Sequence, residues 1–185
     1  MVKTLDSTIL KGFNKRMVNI CLSTSKKSGK ELRNAHYHLG KLLASQILLH
    51  EKLEGKKIAV VIMMRAGLCF GQGIADYLDD VSIVDIIFNA EDDLKYDHYD
   101  KIIFADAVIN TGKTILDCIE LEHLSKIVIA TNVISNKHLH ILRDYNIYTV
   151  RISDNSFKGS NTKFISNGKG PDTGERLFKN KFFER

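Results

Sequence analysis

The feature that most restricts how this chain can fold is one apolar run. Ile102, Ile103 and Phe104 continue to Val108 and Ile109, interrupted by Asp106 near the C-terminal end. An apolar segment without polar alternation suits a strand covered on both faces. Thr111, Gly112, Lys113 and Thr114 follow and open ILDCIELEHL, whose apolar residues recur at helical spacing to roughly Leu124. A strand, a glycine-containing turn and a helix start together form an anion pocket. Free backbone N–H groups, two hydroxyls and the positive end of the helix dipole all favour a phosphate. Asp106 would stand at the lip, where a carboxylate can accept hydrogen bonds from sugar hydroxyls. A capped helix after a core strand, with Asp106 as an edge residue, is the purely structural alternative.

The same pattern recurs along the chain. Ile58 to Met64 reads as a buried strand and ends in Arg65-Ala66-Gly67-Leu68, with Gly71 and Gly73 before the helix IADYL. Open α/β sheets place ligands at the C-terminal ends of their strands, and arginine's planar fork matches a pyrophosphate oxygen pair. An arginine tying down a loop would look the same. Further strands are expected at 81–88, 126–134 and 146–153, with a polar hairpin or loop at 89–100 and a short helix near 137–143. Residues 1–27 are polar and basic with short apolar clusters. Ser28-Gly29-Lys30-Glu31 is a capping-box pattern, opening a helix that ends near Gly55. Its stripe of Leu32, Ala35, Leu39, Leu42, Leu43 and Ile47 is core or a dimer face. His36, His38 and His50 are expected at the surface or partly buried, not as ligands. The whole predicts an α/β fold: a doubly wound, mostly parallel sheet flanked by helices.

Composition sets outer bounds. With 185 residues, 44% hydrophobic and 26% charged, the chain is expected to form a single domain over 1–185. No apolar run reaches the length of a membrane span, and the N-terminus does not read as a signal peptide. Cys21, Cys69 and Cys118 are scattered and form no CxxC, in line with a reducing, cytoplasmic setting. A net charge of +5 fits phosphate ligands or weak RNA affinity. Basic and aromatic residues do not interleave as in nucleic-acid grooves, so a nucleic-acid partner is not expected. Late in the chain, Asn167 to Arg176 contains Gly168, Gly170 and Gly174, a loop able to approach a ligand closely.

Two phosphate motifs compete for Thr111–Thr114. The nucleoside-triphosphate loop requires a glycine where Ala107 stands, so only a shorter cradle remains. Asp106 followed five residues later by Thr-Gly-x-Thr resembles the phosphoribosyl-pyrophosphate loop of type I phosphoribosyltransferases. One acidic residue in place of two is the pattern of the uracil phosphoribosyltransferase branch. RAGL at 65–68, DAVINTGKT at 106–114 and GPDTGERLF at 170–178 resemble that family in order and spacing. KELRNAHYHLGKLLA also looks like the family's N-terminal helix. The family's long hairpin after the third strand is here reduced to about a dozen residues and lacks its arginine.

The resemblance implies specific roles. Asn110, Thr111, Gly112, Lys113 and Thr114 would hold the 5′-phosphate, Asp106 the ribose hydroxyls, and Arg65 with the Ala66–Gly67 backbone the pyrophosphate. Asn167, Gly168, Lys169 and Gly170, in a small C-terminal hood, would face the edge of a base. Asp172 would help hold Mg²⁺ through water, with Glu175 and Arg176 in place of the family's Asp-Arg pair. Arg65, Asp106 and Asp172 are thus the catalytic candidates, phosphoribosyl pyrophosphate and a nucleobase-like acceptor the ligands. The implied reaction moves ribose 5-phosphate to uracil or a related base, as in pyrimidine salvage, with the protein a homodimer or higher homo-oligomer. The alternatives are a transferase for another heterocycle and a non-catalytic sensor of the sugar pyrophosphate or a nucleotide.

Overall fold

The computed structural model describes residues 1–88, 96–119, 125–155 and 171–178. Six parallel strands form one sheet: β1 (Val2–Thr4), β2 (Lys57–Ile62), β3 (Ile83–Phe88), β4 (Lys101–Ile109), β5 (Ile127–Ser135) and β6 (Asn146–Ser153). Their order across the sheet is β1-β6-β5-β4-β2-β3. The helices are α1 (Gly12–Cys21), α2 (Gly29–Glu51), α3 (Leu68–Leu78), α4 (Lys113–Leu116) and α5 (Thr173–Phe178). The expected fold class is therefore the one observed, with every described strand pair parallel.

The apolar runs are buried on both faces, as their lack of alternation requires. β5 is buried along its full length, and β2 everywhere but at Lys57. Two clusters of side chains divide between the faces of the sheet. Ile103, Ala105, Val128, Ala130 and Tyr148 pack beneath α2 and α3, whereas Ile102, Phe104, Ile127, Ile129 and Ile147 pack on the other side. Alternation then slips by one residue: Ile109 joins Phe104's cluster, and Ile134 joins Ile129's. On β4 the slip falls between Ala107 and Ile109, just past Asp106, and on β5 between Ala130 and Ile134, so both strands change phase next to the candidate site while keeping register.

The stripe on α2 belongs to the core. Leu32, Leu39, Leu43 and Ile47 are at most 1% exposed, and burying each contributes roughly 1.5–3 kcal/mol. That face is occupied within the chain and offers no dimer surface. Ser28 stands at the N-cap in extended conformation, but its hydroxyl makes no capping bond. α2 lies directly on α3. A Cβ on Gly40 would come within 2.1 Å of the Phe70 carbonyl oxygen, and one on Gly73 within 2.1 Å of the Tyr37 carbonyl oxygen.

Several local expectations change. The basic N-terminal stretch contains α1 and β1, and β1 pairs with β6 at the edge of the sheet. The helix expected to run to Leu124 is helical only over Lys113–Leu116, followed by turn through Cys118; residues 120–124 lie outside the described residues. The segment near 137–143 is a run of 3-10 turns, Asn136–Leu142. His36 departs most: it is 1% exposed, with both ring nitrogens buried and without hydrogen-bond partners among the described residues. Burial holds its pKa down at about 3, helped by the charges of Arg176 and Arg151, so the ring is neutral. Among the described residues no helix is long and apolar enough to cross a membrane.

Candidate active site

Strand order fixes where a ligand can enter. From β2 the chain moves outward to β3, then returns to the other side of β2 as β4 and continues through β5 and β6. The helical connections diverge at this reversal and leave a crevice at the C-terminal ends of β2 and β4. A hollow of about 590 Å³ lies there, lined from β2 and its turn by Met63–Ala66, from β4 and its turn by Asp106 and Val108–Ile115, and from the last helix by Pro171–Gly174. β5 and β6 add Asn132, Val133, Ser135, Arg151 and Ser153, and α1 adds Cys21. Three separate sequence motifs therefore meet in one concavity.

The turn after β4 has the form of an anion cradle. Gly112 sits at φ 73°, a left-handed conformation that costs an L side chain about 1–2 kcal/mol. It directs the chain into α4, and Thr111 Oγ1 accepts from the Lys113 amide at 3.4 Å. No hydrogen bond engages the amides of Thr111, Gly112 or Thr114 among the described residues. The Asn110 Oδ1 is buried beside them, also without a partner among those residues. Lys113 Nζ pairs with Asp117 at 2.9 Å on the exposed side of the turn.

Asp106 is partly shielded at the mouth of this cradle. Its Oδ1 accepts from the Val108 amide at 3.3 Å. Burial pushes its pKa up to about 7; the amides of Val108 and Ala107 oppose this, and the charge of Asp172 adds to it. Asp172 lies close by as the N-terminal cap of α5, its Oδ1 accepting from the Glu175 amide at 3.2 Å. A Cβ on Gly174 would lie 3.0 Å from that Oδ1 and 3.6 Å from Arg65 Nε, so α5 is seated against the β2 turn. Arg65 Nη2 donates to Glu175 Oε1 at 2.8 Å, a bond that raises the guanidinium's pKa. The Gly67 amide donates to the Met63 carbonyl at 2.9 Å and so closes the turn itself.

The donor set fits a hydrated Mg²⁺. No group of three His, Cys, Asp or Glu side chains that could hold a metal occurs among the described residues. Asp106 and Asp172 do bring two hard carboxylates into mutual repulsion at one site. Mg²⁺ is commonly held by one or two carboxylates together with water and substrate phosphates, without an all-protein cage.

The structure thus brings Arg65, Ala66, Asp106, Asn110–Thr114 and Asp172 together around the hollow. The base-binding candidates Asn167, Gly168, Lys169 and Gly170 lie outside the described residues, as does most of the 89–100 segment. Sequence reasoning missed Cys21, Asn132, Ser135 and Arg151 on the far wall; Arg176, singled out with Glu175 in the late motif, lies beneath them. Polar residues inside the otherwise apolar run KIVIATNVIS were the available signal.

A six-stranded parallel sheet with a phosphate-type turn at its switch point defines the type I phosphoribosyltransferase fold. The sequence model of uracil phosphoribosyltransferase matches residues 44–180, and the chain belongs to that family. Among curated proteins, none matches it in sequence. Of solved structures, the AQ2163 protein from Aquifex aeolicus is similar over 97% of this chain and 99% of its own, with 18% identity and a TM-score of 0.66. A hypoxanthine-guanine phosphoribosyltransferase from Bacillus anthracis aligns with 65% of this chain and 80% of its own, at 14% identity and a TM-score of 0.46. The TT1426 protein from Thermus thermophilus aligns with 66% and 85%, at 14% identity and a TM-score of 0.48.

Proposed function

We propose that the protein transfers ribose 5-phosphate from phosphoribosyl pyrophosphate to a nucleobase-like acceptor, uracil or a related heterocycle, and releases pyrophosphate. The observation that carries this reading is the meeting of the Asp106 carboxylate, the Asn110–Thr114 cradle and Arg65 in one hollow at the switch point. The unengaged amides of the cradle, with the Thr111 and Thr114 hydroxyls, hold the 5′-phosphate. Asp106 accepts from the ribose hydroxyls and fixes the orientation of the sugar. Arg65 and the Ala66–Gly67 turn take the pyrophosphate. Asp172 would hold Mg²⁺ through water, where such an ion would supply positive charge beside the leaving group.

In the reaction the C1′–oxygen bond to pyrophosphate breaks and takes its electron pair with it, while a ring nitrogen forms the new bond to C1′. The nitrogen's proton passes to solvent. Negative charge gathers on the departing pyrophosphate, so a preorganised guanidinium there lowers the barrier without any protein nucleophile. Purified protein supplied with phosphoribosyl pyrophosphate, Mg²⁺ and a panel of bases should release pyrophosphate with at least one. Silence across the panel overturns the reading.

The Arg65–Glu175 pair favours one other reading. An arginine already occupied on the pyrophosphate side suits a protein that binds the sugar pyrophosphate and signals without turning it over. Stoichiometric binding with no pyrophosphate release separates that case. Assembly as a homodimer in the cytoplasm belongs to the same proposal, and light scattering on the purified chain tests the stoichiometry.

A further inference from the structure

The hollow has a second wall that sugar, phosphate and pyrophosphate leave unused. Asn132 and Ser135 on β5, and Arg151 on β6, form it. Asn132 is 1% exposed and Ser135 3%. Neither Asn132 Oδ1, Ser135 Oγ nor Arg151 Nε has a hydrogen-bond partner among the described residues, although all three atoms are buried. Buried polar atoms in native proteins are nearly always paired. Three orphans lining one cavity mark a place where a ligand supplies the partners.

Charge on this wall is equally one-sided. Arg176, 2% exposed, donates to the carbonyls of Ile20, Ser25 and Lys27, which satisfy its N–H groups but not its charge. No carboxylate pairs with Arg151 or Arg176 among the described residues. Of residues 154–170, which join β6 to Pro171, only Asp154 is acidic, and its Oδ1 accepts from Asn136 at 3.1 Å. The other titratable neighbours are neutral: His36 as described, and Cys21, whose thiol burial pushes up to about 12. Two guanidinium charges therefore line the cavity with no carboxylate paired to either among the described residues, while Asp106 and Asp172 line it on the sugar side, an arrangement that is costly unless a ligand brings the opposite charge to this wall.

We propose that this wall is the acceptor subsite and that the acceptor is an anion, a nitrogen heterocycle bearing a ring carboxylate. The carboxylate sits on the Arg151 fork, and an N–H of the ring or its amide donates to Asn132 Oδ1. The inference rests on the phosphoribosyl-transfer reading and narrows its acceptor; uncharged uracil leaves the guanidinium uncompensated. Position supports it. β5 and β6 lie on the opposite side of β4 from β2. An acceptor at Arg151 and a pyrophosphate at Arg65 therefore flank a sugar held at Asp106 from opposite sides, as displacement at C1′ requires. The ring nitrogen bonds to C1′, and the leaving electron pair departs on the other side.

The test uses matched pairs on the full chain: uracil with its 6-carboxylate, and pyridine-3-carboxamide with pyridine-3-carboxylate. Binding is measured by calorimetry with Mg²⁺ and pyrophosphate present, and pyrophosphate release is measured separately with phosphoribosyl pyrophosphate. In at least one pair the carboxylate should bind tenfold or more tightly than its neutral partner. Arg151→Met should abolish that preference, Arg151→Lys should retain part of it, and Asn132→Ala should weaken both members of the uracil pair, which carry a ring N–H. Equal or better binding of the neutral members in both pairs overturns the proposal, as does a preference that survives Arg151→Met. If Arg151→Met loses its native circular dichroism, wild-type preference and the lysine variant decide. Inorganic phosphate competing as well as the ring carboxylate would reduce the wall to a general anion site and overturn the acceptor assignment. Turnover with neutral bases alone overturns this inference and leaves phosphoribosyl transfer standing. Arg151-dependent carboxylate binding with no pyrophosphate release from any acceptor overturns the transfer reading instead.

Discussion

Arg65 at the C-terminal end of β2 is bound to Glu175 of α5 at 2.8 Å, so the strand-end guanidinium is tethered across the mouth of the hollow. The arginine side chain is 49% exposed and the glutamate 14%. A pair this wet is worth about 0.2–1 kcal/mol. Pyrophosphate, with more charge and a matching oxygen pair, can replace the carboxylate as a partner.

Glu175→Gln should therefore strengthen pyrophosphate binding by about 1.4- to fivefold, the range given by that pair energy. The gain should shrink as salt is added, because an exposed pair is screened. Arg65→Ala should weaken binding and lower turnover by about 10²–10³, the scale of losing one preorganised donor to developing charge. Calorimetry with pyrophosphate over a salt series checks the first effect, and pyrophosphate release checks the second. Unchanged affinity in both variants would remove Arg65 from the pyrophosphate site.

On the proposed reading, Asp106 would make the sugar clasp depend on pH. Its pKa of about 7 is raised, so below neutrality the carboxyl is protonated and accepts hydrogen bonds from hydroxyls poorly. Affinity for phosphoribosyl pyrophosphate should fall about tenfold per pH unit below 7, while Asp106→Asn binds weakly and without that slope. Stability runs the other way. With the folded pKa above the unfolded value, the native state holds one proton more between about pH 4 and 7. Unfolding free energy from this group then falls as pH rises through that window, by at most about 1.4 kcal/mol per unit. Urea denaturation of both proteins from pH 4 to 8 checks the sign. A ligand affinity flat across the window would exclude Asp106 from the clasp.

What the sequence made legible follows from how local each determinant is. The unalternating runs at Ile58–Met64 and Ile127–Ile134 reported burial on both faces, and the parallel sheet follows from that. Asp106, Gly112 and Thr114 could be placed because a strand, a left-handed turn and a helix start are each signalled within a few residues. The far wall depends on distance in space. Asn132 and Arg151 come from neighbouring strands, and Arg176 reaches the carbonyls of Ile20, Ser25 and Lys27 from the other end of the chain. Periodicity on α2 also misplaced His36, because a residue one position from Ala35 can still lie in a wide apolar stripe when α1 and α5 both cover the helix.

Gly112 separates backbone conformation from side-chain chemistry in the cradle. At φ 73° an alanine is strained, and its Cβ would approach Leu142 Cδ1 to 3.2 Å. Gly112→Ala should destabilise the fold by about 1–2 kcal/mol and weaken phosphoribosyl pyrophosphate binding more than acceptor binding, because the strain falls on the amides proposed to face the phosphate. Chemical denaturation and paired affinities check both. Equal losses for the two ligands would point to a general defect of the fold.

Gly73 tests whether the site depends on the packing of α2 against α3. Its missing side chain lets the helix approach the Tyr37 carbonyl oxygen, which an added Cβ would meet at 2.1 Å. Neither neighbour can yield cheaply, since the obstacle is backbone in the middle of a helix of 23 residues and not the end of a flexible side chain. Gly73→Ala should cost about 3 kcal/mol, at the upper end for overpacked cores, and should force α3 outward. α3 begins at Leu68, directly after the Arg65–Gly67 turn, so displacing it moves the pyrophosphate end of the hollow while the cradle on β4 stays in place. The expected signature is a lower denaturation midpoint with a KM for phosphoribosyl pyrophosphate that rises several-fold and an acceptor KM that changes little. A variant of unaltered stability would show that the two helices can separate without cost and that their contact does not position Arg65.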